Sequence, residues 1–161
     1  MIILKKCASL LLLVVLLLGV TMGCSNRSEI TPAGVTKDIM TYVDADIKWV
    51  SLKEEELNGY FGFSGEDLTA HSAYINDAEE KYDIVAAFKF KNTEALHSAV
   101  EKVSASLVAA TQNFASVIDT EKEKIANRLI LSKDNILVVV VASNNINIKD
   151  MLTEKGFSVV A

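Results

Sequence analysis

Apolar positions follow three rhythms along this chain. From Ala8 to Leu18 only Ser9 interrupts an aliphatic run. Around Leu68–Lys91 and Arg128–Ala142 they form short strand-length blocks. Between Thr93 and Ala115, Leu96, Val100, Val103, Leu107, Ala110 and Phe114 recur at spacings of four and three, which is one face of a helix. The flanking positions are mostly Ser, Ala and Thr rather than charged, so a helix lying on a sheet is favoured over a coiled coil.

The same reasoning places the other elements. Val35–Tyr42 is expected to be helical, with Val35, Ile39, Tyr42 and Val43 on one side, until Asp44-Ala45-Asp46 breaks it. Ser51 and Glu54 have capping-box spacing and would open a short helix ending at Gly59. Gly62 and Gly65 punctuate the turn that follows. Leu68–Ile75 reads as a strand and Asn76–Lys81 as a polar connection. In Tyr82–Lys91, Tyr82, Ile84, Ala86, Phe88 and Phe90 alternate with Asp83, Val85, Ala87, Lys89 and Lys91, and the lysines mark a solvent side near its end. A hairpin is expected from Arg128–Ser132 and Ile136–Ala142 around Lys133-Asp134-Asn135. Its second arm is apolar on both faces, which suits a central strand. Ile146–Glu154 is a final helix, stopped by Gly156. The order is helix, short helix, then strand-strand-helix twice. It predicts an α+β two-layer sandwich, a four-stranded mainly antiparallel sheet with helices packed on one face.

The first aliphatic run has a different purpose. Lys5-Lys6 precede it, Gly19 loosens it, and Thr21-Met22-Gly23-Cys24 follow. A basic start, a short apolar core and a small residue before the cut describe an export signal. The core is shorter than the roughly 20 apolar residues of a spanning helix. Its Gly23-Cys24 ending is the junction a lipoprotein signal peptidase cleaves, although Thr21 stands where Leu is commonest. Cys24 would then be the first mature residue and carry a covalent diacylglycerol, whose two chains suffice for stable anchoring. The competing reading, an uncleaved signal anchor, also puts the domain outside the cytoplasm, because Lys5 and Lys6 stay inside. Residues 1–23 are thus assigned to the signal peptide, 24–34 to a lipidated tether and 35–161 to a single domain.

Processing changes the charge. The whole chain carries 16 basic and 21 acidic residues and a formal charge of −5; losing Lys5 and Lys6 leaves 14 basic residues and −7. Such a surface repels nucleic acid and anionic lipid headgroups. Cys7 leaves with the signal and Cys24 is acylated, so no thiol pair remains for a disulfide.

Several features carry a family resemblance: Tyr60-Phe61-Gly62-Phe63, the Tyr82–Lys91 strand leading into Asn92-Thr93-Glu94, the Phe114 region, and the Arg128–Ala142 hairpin around Asp134-Asn135. With the Gly23-Cys24 junction, residues 35–143 resemble the small lipoproteins with domain of unknown function 4358, found mostly in Clostridia and their relatives. That family has no established activity, so the resemblance implies fold and location alone.

The search for chemistry yields little. His71 and His97 are the only histidines, too few for a zinc site. Asp44-Ala45-Asp46 begins like a calcium loop, but Lys48 and Trp49 occupy the positions of a third oxygen ligand and the turn glycine. Glu54-Glu55-Glu56 reads as an acidic first helical turn. Asp67, His71 and Ser72 suggest a triad, yet adjacent strand residues face apart. Gly62-Phe63-Ser64-Gly65 lacks the second glycine of a nucleophile elbow, and Gly59, Gly62 and Gly65 lack the lysine of a phosphate loop. Trp49, Tyr60, Phe61 and Phe63 remain. Exposed, they would offer a surface to a sugar ring, a peptide or a protein partner; buried, they would cap one end of the sheet, which is the favoured reading.

The expectation is a non-enzymatic lipoprotein on the outer face of the cell membrane. It would need no metal or cofactor beyond its lipid, and would bind or assemble with another envelope protein. An accessory solute-binding subunit and an envelope hydrolase using a carboxylate pair are the alternatives.

Overall fold

A computed structural model of the chain describes residues 29–78, 80–114 and 119–161. The expected signal peptide and lipid-attachment junction, with Gly23 and Cys24, lie outside the described residues. The elements are α1 (Pro32–Met40), β1 (Trp49–Ser51), α2 (Leu57–Phe61), β2 (Leu68–Asn76), β3 (Ile84–Phe90), α3 (Thr93–Phe114), α4 (Asp119–Ala126), β4 (Leu129–Lys133), β5 (Ile136–Val141), α5 (Asn145–Glu154) and β6 (Ser158–Val159). Single 3-10 turns at Glu54–Glu56 and Gly65–Asp67 precede α2 and β2.

The fold is α+β, built on one sheet in which every pairing is antiparallel. The sheet has six strands rather than four, in the order β1-β2-β3-β5-β4-β6. The two added strands are short edges, three and two residues long. At so few residues no alternation exists to be read. Helices also pack against both faces rather than one. On one face Ala86, Phe88, Leu137 and Val139 meet Phe61 of α2, Leu96, Val103 and Leu107 of α3, and Ile125 of α4. On the other, Val85, Ala87, Val138 and Val140 meet Val35 and Ile39 of α1 and Ile148 and Leu152 of α5. Strand β3 is therefore central and buried on both sides, and Val85 and Ala87 lie beneath α1 instead of facing solvent.

Local chemistry explains the boundaries. Helix α1 starts at Pro32, a residue suited to a first turn, and the Thr31 side chain accepts from Gly34 N–H. Pro32–Gly34 form the first turn of α1, and Ile30 packs on the α1 face as well. Ser51 ends β1 instead of capping a helix. The reciprocal bond is displaced by two residues, with Lys53 N–H donating to Glu56 Oε2 at 2.7 Å. Helix α2 runs past Gly59 to Phe61 and stops at Gly62, whose φ of 75° suits glycine. Gly156, at φ 87°, follows the end of α5. No described helix is long and apolar enough to cross a membrane.

Candidate functional site

The four aromatic residues do not assemble into one surface. Phe61 and Phe63 are buried core rings that pack edge-on against Phe88, at centroid distances of 4.9 and 5.1 Å. Trp49 is half-buried against the opposite face of the sheet. Tyr60 is half-buried and lines a recess of about 230 Å³ with Ile75, Tyr82 and Asp83. Ser106 Oγ of α3 fastens the Tyr60 segment by donating to the Tyr60 carbonyl at 2.8 Å. His71 and Ser72 face apart, Ser72 Oγ sharing a 2.7 Å hydrogen bond with Thr36 Oγ1 of α1. His97 is exposed on α3. Asp44 accepts from Asp46 N–H in a local turn.

The most developed site lies elsewhere. Where β2 ends and β3 begins, Asn76, Asp83, Leu129 and Ala142 reach one end of the sheet. There α4 and α5 enclose a cleft of about 810 Å³. Its floor holds the only two buried carboxylates among the described residues, Asp83 at 4% and Glu121 at 2% exposure. Lys124 lies between them. Its Nζ donates to Asp83 Oδ1 and Glu121 Oε2, both at 2.7 Å. Asn76 Nδ2 donates to Asp83 Oδ2 at 2.8 Å, and Tyr82 N–H to Glu121 Oε2 at 2.9 Å. Lys81, half-exposed, adds a longer contact of 3.5 Å to Glu121 Oε1.

These contacts set the protonation states. Burial pulls the Glu121 carboxyl upward, but the Lys124 ammonium, the Tyr82 amide and Lys81 outweigh it and hold it below the usual carboxylate range. The neighbouring Tyr82 phenol is pushed up to about 12, by burial first and Tyr60 second. Glu121 is thus an ionised acceptor. A general acid would need the opposite shift, and no described group of three His, Cys, Asp or Glu side chains could hold a metal.

The cleft walls are mixed. Ile47 and the strongly exposed Ile146 (76%) supply apolar surface, while Asp44, Glu123 and Lys149 supply charge of both signs. Asn145 Nδ2 donates to the Asn127 carbonyl at 2.6 Å and so links the start of α5 to the end of α4. Sequence reasoning missed this site because α4 was not foreseen, and α4 supplies Glu121 and Lys124. The one available signal was Asp83, a charge near the start of the best strand.

Searches of family models, curated proteins and solved structures each find no match to this chain.

Proposed function

We propose that this chain is a lipoprotein cut between Gly23 and Cys24 and tied by diacylglycerol on Cys24 to the outer face of the cell membrane. Its domain acts there as a non-enzymatic binding or assembly module of the cell envelope. The likeness to the lipoproteins with domain of unknown function 4358 belongs to the same proposal. One observation carries the binding role. The cleft is built from charges that satisfy one another, which suits a fixed recognition surface better than proton transfer. Asp83 and Glu121 share one ammonium and Glu121 is held ionised. Ile146 stands exposed at the rim, where an apolar contact would strengthen docking.

A photo-reactive residue at Ile146 of the lipidated chain in its own membrane tests this. It should give a discrete envelope-protein adduct that the same residue at Val108, exposed on α3, does not give. Equal labelling from both positions, or none, removes the reading. Replacing Cys24 with Ala should release the protein from the membrane; retention would refute the anchor.

The cleft volume supports a second reading, an accessory solute-binding subunit, because about 810 Å³ lies within the range of small-ligand sites. A small metabolite that raises the melting temperature while leaving Ile146 unlabelled by any protein would favour it.

A further inference from the structure

Helix α4 is docked in an unusual way. Its eight residues, Asp-Thr-Glu-Lys-Glu-Lys-Ile-Ala, bury only Glu121 and Ile125. A helix this short does not persist on its own in water; it packs against α3, and its one core aliphatic side chain is the fully buried Ile125. Much of the remaining attachment to the sheet is ionic. Glu121 reaches the Tyr82 amide and Lys81, and Lys124 reaches Asp83. The same helix supplies Thr120, Glu121, Glu123 and Lys124 to the cleft.

We propose that α4 is an acid-released latch: protonation of Glu121 breaks its grip on Lys124, undocks the helix and dismantles the cleft while both packed faces of the sheet stay folded. The idea goes beyond the binding role and stands whatever the cleft holds. Its sign follows from the groups around Glu121. Lys124 on its own helix, Lys81 and the Tyr82 amide from the connection before β3 all favour the carboxylate. Asp83, one residue before β3, shares Lys124; Lys149 of α5 and Asp44 line the same cleft, and Tyr82 stays protonated throughout acid conditions. A carboxyl held below its unfolded value adds stability that is present above about pH 4.5 and is lost as pH falls through the folded value. Protonated Glu121 no longer attracts Lys124, and the buried ammonium loses one of its two carboxylate partners, which is costly.

Hydrogen exchange of the full lipidated chain in detergent, corrected for intrinsic rates, reads the latch directly. On acidification to about pH 3.5, protection across 119–126 should fall by up to about tenfold while that of β3 and β5 is retained. Glu121→Gln, which imitates the protonated side chain, should show the loss already at pH 7. Should that variant fail to fold, Lys124→Arg, which keeps the bridging charge, should retain protection at pH 7 and lose it on acidification. Loss of 119–126 only together with β3 and β5, or full protection of the folded Glu121→Gln helix at pH 7, overturns the proposal.

Discussion

Strand β5 and the residue at the mouth of its neighbour β3 are equally inaccessible to water and could hardly differ more in chemistry. Ile136–Val141 is buried throughout and wholly aliphatic. Asp83, one residue before β3, is buried too but carries a charge shared with Lys124. Along β5, stability comes from removing apolar surface from water, about 25 cal/mol per Å², and from close packing on both faces. At Asp83, desolvation opposes folding, and the ammonium and amide contacts offset it. The first kind of burial accepts any well-fitting aliphatic side chain. The second accepts one arrangement of three charges, and so fixes where α4 sits and what shape the cleft takes.

Cutting into each region should separate them. Phe88 is fully buried and touches Phe61 and Phe63. Phe88→Ala should cost about 4 kcal/mol, seen as a lowered urea midpoint for the whole domain. Lys124→Ala leaves two carboxylates buried without their shared cation and should cost about 3 kcal/mol. Because α4 can detach by itself, that loss is limited by the docking energy of the helix. Protection should therefore fall first at 119–126, with the strands affected less. Replacing Asp83, Glu121 and Lys124 together by Leu, Leu and Met should recover most of the deficit. A triple variant as unstable as Lys124→Ala would show that the charges stabilise the fold outright rather than specify it.

The same division explains what the sequence disclosed. Helix α3 was legible because Leu96, Val103 and Leu107 repeat at helical spacing and are all buried. The β4–β5 hairpin was legible because Asp134-Asn135 separates two apolar blocks and Asp134 accepts a φ of 53°. Periodicity tracks apolar burial, so it was blind where burial is ionic. In α4 the two buried positions, Glu121 and Ile125, are four apart as on any helix face, but one is an acid. Lys89 and Lys91 had a related effect on β3. They suggested a solvent side, whereas Val85 and Ala87 of that side lie under α1. The proposed membrane anchor rests on Lys5-Lys6, the apolar run after them and Gly23-Cys24, all outside the described residues.

Smaller effects sharpen the contrast from neutral polar contacts. Thr36 Oγ1 and Ser72 Oγ pair at 2.7 Å between α1 and β2, and the Thr36 hydroxyl also donates to the Ala33 carbonyl at 3.2 Å. Ser72→Ala should cost about 1 kcal/mol in a denaturation experiment, well below the charged cluster. Gly62→Ala should cost a similar amount, about 1 kcal/mol, because a side chain there must adopt a left-handed backbone. Its Cβ would also sit 3.3 Å from the Lys102 carbonyl oxygen.

The smallest effect belongs to an ion pair that looks as good on distance as those of Lys124. Lys89 Nζ and Glu29 Oε1 are 2.6 Å apart, and the Lys89 hydrogen bond and charge hold the Glu29 carboxyl below its usual range. Glu29, however, is open to water, so solvent and salt screen the attraction, and ordering two long side chains opposes it. Glu29→Gln should leave the thermal midpoint unchanged at physiological salt, whereas Lys124→Ala lowers it by several degrees. If the two substitutions cost the same, burial is not what separates the charged end of the sheet from its surface, and the latch loses its physical basis.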